Sequence, residues 1–362
     1  MKQNKKDLIT VSLFCGFLAA MTALYFLLPK QTFSENEKRF LSEFPAPEWD
    51  AVSSGDWGED VETYLADHIP GRDLFVGLNA YFELYTGRQA GKDVLLSGDR
   101  ILEAPVKADD AAIQRNLTAI HTLAETTGRQ LDLMIIPSAG WASGKSGYTD
   151  SAIIQQIYDA AGSSLVPVDV LEVFEGRPDL YFRTDHHWTS AGAYAAYSHL
   201  MALKGRTYPE KDLFTVEHAC EFRGSTYSRS ALWLTPGEPL EIWHGSGDLT
   251  VVNAETEGTH QGVFYRERLE EADKYTVFLD GNHSLVRVHN PNGQGRILVI
   301  RDSYSNLLGC FLAESYEEVV LVDLRYYKQP VSQLMTEEAF DDVLVFYSLG
   351  NFMTDTNLIW LR

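Results

Sequence analysis

Arg296-Ile297-Leu298-Val299-Ile300-Arg301-Asp302-Ser303-Tyr304-Ser305-Asn306 is an apolar strand that stops at Asp-Ser and gives way to a helix. An unbroken run of Ile, Leu and Val suits a strand covered on both faces, the condition of a parallel sheet between helix layers. The residue after such a strand lies at the carboxyl edge of the sheet, where sites collect. A helix starting there offers backbone N–H groups and a favourable dipole to a developing negative charge. Ser303 therefore stands where a nucleophile can be mounted, although Asp and Ser are also ordinary helix caps.

Similar strands flank it at Leu131–Ile136, Leu165–Val168, Val319–Val322 and Val343–Tyr347. Helical spacing fills the gaps. Ile113, Leu117, Ile120 and Leu123 share one face of 109–127, and Ser151–Ala161 and Val331–Phe340 read as further helices. Val94–Leu102 reads as a hairpin turning at Gly98-Asp99. The rhythm lapses over 206–290, which is rich in Gly, Tyr, Thr and charge. Short alternating runs such as Glu241–His244 and Tyr275–Phe278 make it a β-rich insertion or cap. The expected fold is α/β, a parallel sheet with helices on both faces.

The N-terminus sets the topology. Lys2, Lys5 and Lys6 precede Leu8–Leu28, an uncharged apolar run long enough for the roughly 20 residues that span a bilayer. The lysines stay in the cytoplasm, so the rest is exported. Pro29 and Lys30, not small residues, follow the run, which reads as an uncleaved signal anchor. The expected partition is a tail at 1–7, an anchor at 8–28, a lead-in at 29–92, core halves at 93–205 and 291–362, and the insertion at 206–290. The net charge of −21 argues against nucleic acid, whose phosphates it would repel. The three cysteines show no zinc pattern.

A serine hydroxyl is a weak nucleophile and needs a base within hydrogen-bond reach. Asp185-His186-His187-Trp188 supplies one, in a loop leading into an Ala-rich helix for which Thr184 is a candidate N-cap. His187 can take the serine proton, and Asp185 can turn back to hold the other ring nitrogen. Asn351, in Ser348-Leu349-Gly350-Asn351 after another strand, can donate to an oxyanion beside the Ser303 N–H. His186 and Trp188 are candidates for substrate contact, with packing as the competing role for each. Gly281-Asn282-His283 ends a run in the insertion and is a further candidate for the cleft. A metal site on Asp185, His186 and His187 is the less favoured alternative, because adjacent histidines rarely point the same way and no other ligand-rich segment accompanies them. No metal and no cofactor are expected.

Asp185-His186-His187-Trp188, Ser303 and Asn351 together resemble the SGNH hydrolase superfamily in a circularly permuted order. The tetrapeptide resembles the signature of the bacterial DHHW proteins, and the order is that of the periplasmic alginate O-acetyltransferase proteins. Glu35–Arg39, Asp67–Asp73, Val94–Leu102 and Tyr275–Asn282 extend the resemblance across most of the exported part. It implies Ser303 as nucleophile, His187 as base, Asp185 as its partner and Asn351 as oxyanion donor. It also implies an O-acyltransferase acting on a cell-surface polysaccharide, with acyl groups supplied by a membrane-bound O-acyltransferase partner. Water as acceptor would make the same site an esterase, and a degenerate site would make the protein a polysaccharide-binding one. The usual Gly after the second strand is missing. Arg325 or Tyr326, in Asp323-Leu324-Arg325-Tyr326, stands there as a candidate substrate contact.

Overall fold

The computed structural model describes residues 5–88, 90–91, 93–245 and 247–361. The first four residues of the expected tail, Lys2 among them, lie outside these, as do Gln89 and Lys92 at the end of the lead-in. The chain divides into two compact units: residues 1–92 with 228–235, and residues 93–227 with 236–362.

The second unit is built on an eight-stranded sheet. Its strands are labelled here in chain order: β1 (Leu131–Ile136), β2 (Leu165–Pro167), β3 (Thr250–Asn253), β4 (His260–Gln261), β5 (Leu285–His289), β6 (Arg296–Arg301), β7 (Glu318–Val322) and β8 (Asp342–Ser348). They lie in the order β4-β3-β5-β7-β6-β8-β1-β2. Strands β7, β6, β8, β1 and β2 are mutually parallel. Strands β5, β3 and β4 continue the sheet antiparallel beyond β7.

The period-two geometry of the strands explains the apolar runs. In β6, Ile297 and Val299 enter one core while Leu298 and Ile300 enter the other. In β8, Leu344 and Phe346 oppose Val343 and Val345 in the same way. Helix α4 (Ser190–Lys204) and helix α5 (Ser305–Leu312) cover the first face through Ala196, Leu200, Leu308 and Phe311. Helix α3 (Asp110–Thr127) and the helix Asp150–Asp159 cover the second through Ile113, Leu117, Ile120 and Ile154. Each such Leu, Ile or Phe side chain contributes about 1.5–3 kcal/mol on full burial, so both layers are held firmly to the sheet.

The insertion is not a separate lobe. Its strands β3, β4 and β5 extend the main sheet. Val286 and Val288 are fully buried, so the edge that β7 would otherwise expose is covered, as a sheet edge requires. Thr215–Phe222 pairs with Glu238–His244 as a separate hairpin. Tyr275–Phe278 is not a strand: Lys274–Val277 forms a 3-10 turn, and Phe278 makes an isolated bridge to Phe264. Positive φ at Leu279, Asp280 and Gly281 turns the chain sharply after it.

The first unit contains helix α1 (Lys5–Leu27) and helix α2 (Arg72–Tyr85). Among the described residues, α1 is the one helix long and apolar enough to cross a membrane. Behind it, Asp67 is buried and takes Arg39 Nη2 (2.5 Å) and Ser42 N–H (2.9 Å). The Asp67-His68 pair of the turn is thereby tied into the packing of the lead-in.

Candidate active site

The loop from Tyr181 to Trp188 is a tight reversal. The two residues face each other as an isolated antiparallel bridge, and Phe182 N–H donates to His187 O at 3.1 Å. Thr189, not Thr184, caps α4, its hydroxyl accepting from Gly192 N–H at 3.3 Å. Thr184 turns to Glu238 instead. That buried carboxylate accepts from Arg183 N–H (2.8 Å), Thr184 N–H (2.8 Å) and Thr184 Oγ1 (2.6 Å). Buried donors left unmade are costly, so Glu238 holds the entry to the loop in one shape.

Asp185 follows. Its Oδ1 accepts from His187 N–H (2.9 Å) and lies 2.6 Å from His187 Nδ1, while Oδ2 accepts from Ser225 N–H at 2.5 Å. His187 Nε2 lies 2.9 Å from Ser303 Oγ. Burial works to raise the Asp185 carboxyl. It is outweighed by the charges of His186 and His187 and by the hydrogen bonds of His187 and Ser225, which hold the carboxyl well below its usual range. An ionised Asp185 fixes the Nδ1–H tautomer and leaves Nε2 as acceptor for the serine proton.

Two neighbours frame this chain. Tyr275 lies parallel to the His187 ring, 4.0 Å away with 10° between the planes, and is buried. Gly224 passes so close that a Cβ there would lie 2.1 Å from Asp185 Oδ2.

Ser303 is fixed by the residue before it. Asp302 Oδ2 accepts from Ser348 N–H, Ser348 Oγ and Asn351 Nδ2, each at 2.8 Å, and Oδ1 accepts from Tyr304 N–H at 3.1 Å. The end of β6 is thereby stitched to the end of β8. Among the described residues, the Ser303 N–H meets no acceptor. The Asn351 amide is tied to Asp302, so an oxyanion would have only its second N–H.

The other candidates are spread out. Trp188 is fully buried, with its Nε1–H on Tyr304 O at 3.1 Å. It is a core ring and not a substrate platform, because the bridge to Tyr181 turns it inward. His186 is part-exposed, with Nδ1 2.6 Å from Ser225 Oγ. Arg325 forks onto Asp323 through Nε (2.9 Å) and Nη2 (2.6 Å), and Tyr326 is exposed. Arg325 lines a cavity of about 190 Å³ with Arg301, Asp302, Tyr347 and Asn351; Tyr326, Ser303 and His187 do not line it. Asn282 is exposed, and its Oδ1 accepts from Asn306 Nδ2 (3.2 Å) in the first turn of α5. His283 turns instead to Glu255 and Asp280, at 2.9 and 3.0 Å.

Asp185, His186 and His187 bring one ligand atom each within 4.8 Å of one another, so the trio could meet a metal ion. Both nitrogens of His187 are already engaged, by Asp185 and Ser303. A metal would have to break the chain that orders the site.

Residues 155–322 match the model of the DHHW protein family. The match takes in the loop of Asp185, strand β6 and Ser303, and the DHHW resemblance holds. A crystal structure of a DHHW family protein from Eubacterium siraeum superposes with TM-score 0.64 at 20% identity, over 75% of this chain and 97% of that one. PatB1 of Bacillus cereus, in a structure with a sulfonyl adduct, superposes with TM-score 0.63 at 20% identity, over 74% of this chain and 98% of that one. A second structure of Bacillus cereus PatB1 gives 0.61 at the same identity, over 74% and 98%. These likenesses establish a shared fold. No curated protein matches the chain in sequence.

Sequence reasoning missed Glu238, Gly224, Ser225 and the ring of Tyr275 as parts of the site. All four lie in the insertion and reach the DHHW loop only through folding; Tyr275 falls in a stretch that carries the family resemblance, and the other three fall in no motif. Asp302 was visible beside Ser303, but its task of joining two strands was not.

Proposed function

We propose that this protein is an extracytoplasmic, membrane-anchored O-acyltransferase, of acetyl groups in the first instance, acting on a cell-surface polysaccharide. The observation that carries the reading is the chain Asp185 Oδ1–His187 Nδ1 (2.6 Å) and His187 Nε2–Ser303 Oγ (2.9 Å). His187 Nε2 takes the hydroxyl proton as Ser303 Oγ attacks the acyl carbonyl. The Ser303 N–H, at the start of α5, stabilises the resulting oxyanion. His187 then returns the proton to the leaving group. In the second half-reaction a sugar hydroxyl loses its proton to His187 and attacks the acyl-Ser303 ester, and His187 passes that proton to the departing Ser303 Oγ.

The parallel order β7-β6-β8-β1-β2, with Ser303 after β6 and Asp185–His187 after β2, supports a permuted SGNH-like arrangement. PatB1 is a fold relative seen with a sulfonyl adduct, which is how an activated nucleophile in this fold would respond to a sulfonylating reagent. The resemblance adds a membrane-bound O-acyltransferase partner that hands acyl groups to this protein, and α1 would keep the two in one membrane with the site on the exported side.

The test uses full-length protein in detergent, an activated acetyl ester and intact-protein mass spectrometry. Wild type gains one acetyl group, Ser303→Ala gains none, and His187→Ala gains it far more slowly. Adding oligosaccharide then moves the label to the sugar, whereas release of acetate at the same rate with and without sugar makes the protein an esterase. An unlabelled wild type that also resists phenylmethylsulfonyl fluoride overturns the reading.

A further inference from the structure

Helix α2 is apolar on two faces. One face packs within its own unit. Gly77 is buried where a Cβ would meet Trp233 Cδ1 at 2.8 Å, Trp233 Nε1–H donates to Asp73 O at 3.0 Å, and Leu234 N–H to Tyr81 Oη at 3.1 Å. The flanking face carries Leu74, Phe75, Leu78, Phe82 and Tyr85, which are 63, 44, 57, 67 and 88% exposed. These positions recur at helical spacing and form one stripe. A contiguous exposed apolar surface marks a site of association.

The place of this stripe says what covers it. Leu24 and Leu28, at the end of the span, line a cavity of about 370 Å³ together with Ile69, Gly71 and Arg72, where α2 begins. His68 Nε2 lies 3.1 Å from Gln31 O. Helix α2 therefore starts where the membrane helix stops. Eleven exposed large apolar side chains fall in residues 29–88, against nine in the far longer stretch 93–361, so the greasy surface of the exported chain is concentrated beside the anchor. Several of the eleven are aromatic, including Phe40, Phe44 and Trp49, the side chains that favour the headgroup level of a bilayer. Five basic residues stand against twelve acidic ones over residues 29–88, so the attraction is apolar and not to anionic lipid.

We infer that the Leu74–Leu78–Phe82 face of α2 lies in the outer membrane–water interface, a second lipid contact that holds the first unit against the bilayer from which α1 emerges. This rests on α1 crossing the membrane and is independent of the chemistry at Ser303.

The experiment places a nitroxide at Leu78 or Phe82 of the full-length protein, with the three native cysteines replaced, in zwitterionic liposomes. Collision rates with oxygen and with a water-soluble nickel chelate are read by EPR, with a label at exposed Glu59 as the aqueous reference. The expected result is strong oxygen and weak nickel collision at 78 and 82 and the reverse at 59, unchanged by added anionic lipid. A second variant, Phe82→Glu, raises nickel access at a label on 78. Free nickel access at 78 and 82 overturns the inference. Shielding from both reagents also overturns it, in favour of a protein covering the face.

Discussion

Gly224→Ala puts the described site at risk with a single methyl group. The added Cβ would stand 2.1 Å from Asp185 Oδ2, 2.2 Å from Asp185 Cβ and 2.4 Å from Asp185 Cγ. Ordinary contact begins at 3.4 Å, and to regain it the Gly224 backbone and Asp185 must part by 1.3 Å. Asp185 has little room to yield, being 4% exposed and held by His187 and Ser225. A shift of that size breaks the Ser225 N–H bond or moves the carboxylate off His187 Nδ1. Overpacking of this kind costs about 1–3 kcal/mol of stability. A misplacement of about 1 Å at a reacting group costs on the order of 10²-fold in rate. The assay is the time course of acetyl-enzyme formation by intact mass, with the melting temperature measured alongside. Gly58→Ala is the control, since a Cβ there meets nothing within 4 Å. A Gly224→Ala protein that acylates and melts like wild type would show that the Gly224-Ser225 turn does not rest on Asp185, and the reasoning would fall.

Other outcomes follow from the same contacts. Tyr275→Ala removes the ring stacked on His187 and opens a cavity, costing about 3–5 kcal/mol by analogy with other large aromatic truncations; Tyr275→Phe keeps the stack and acylates like wild type, and urea melts with single-turnover rates check both. Asp302→Asn leaves the Ser348 and Asn351 donors facing an amide, which costs about 1–3 kcal/mol and slows acylation at Ser303, whereas Asn351→Ala, which removes one of four donors to Asp302, is the milder change in both measurements. The Asp185 carboxyl is depressed in the folded state, so its contribution to stability is complete above the unfolded carboxyl value of about 3.9 and is lost as the pH falls through the folded value. The stability difference between wild type and Asp185→Asn therefore shrinks as the pH falls below that point, as urea unfolding across acidic pH will show. Exhaustive treatment with a chelator leaves acylation unchanged, because both nitrogens of His187 serve the proton chain; stoichiometric zinc with loss of activity on its removal would reverse that assignment.

Much of this was written in local sequence. The runs in β1, β6, β7 and β8 are apolar because both faces of each strand are covered, and that condition can be read from the run itself. Helix α3 announced itself through Ile113, Leu117, Ile120 and Leu123, and α1 through length and lack of charge. Ser303, His187 and Asp185 were nameable because each sits at a change of element, where side chains are free to do chemistry.

Tertiary structure decided the rest, because the deciding contacts join distant segments. Whether Thr184 caps a helix or serves a buried carboxylate depended on Glu238, brought in by the hairpin of the insertion. How much of the Asn351 amide is left for an oxyanion depended on Asp302, which takes one of its N–H groups across two neighbouring strands. Trp188 could be exposed or core until the bridge to Tyr181 turned it inward. The insertion looked like a cap because its strands are short and carry polar residues; it became sheet because β5 found an unpaired edge on β7. Local sequence determines where strands, helices and reactive groups fall, since periodicity and capping act within a few residues. Which hydrogen-bonding groups are satisfied, and by whom, is settled only when the sheet closes and every buried donor must find its acceptor.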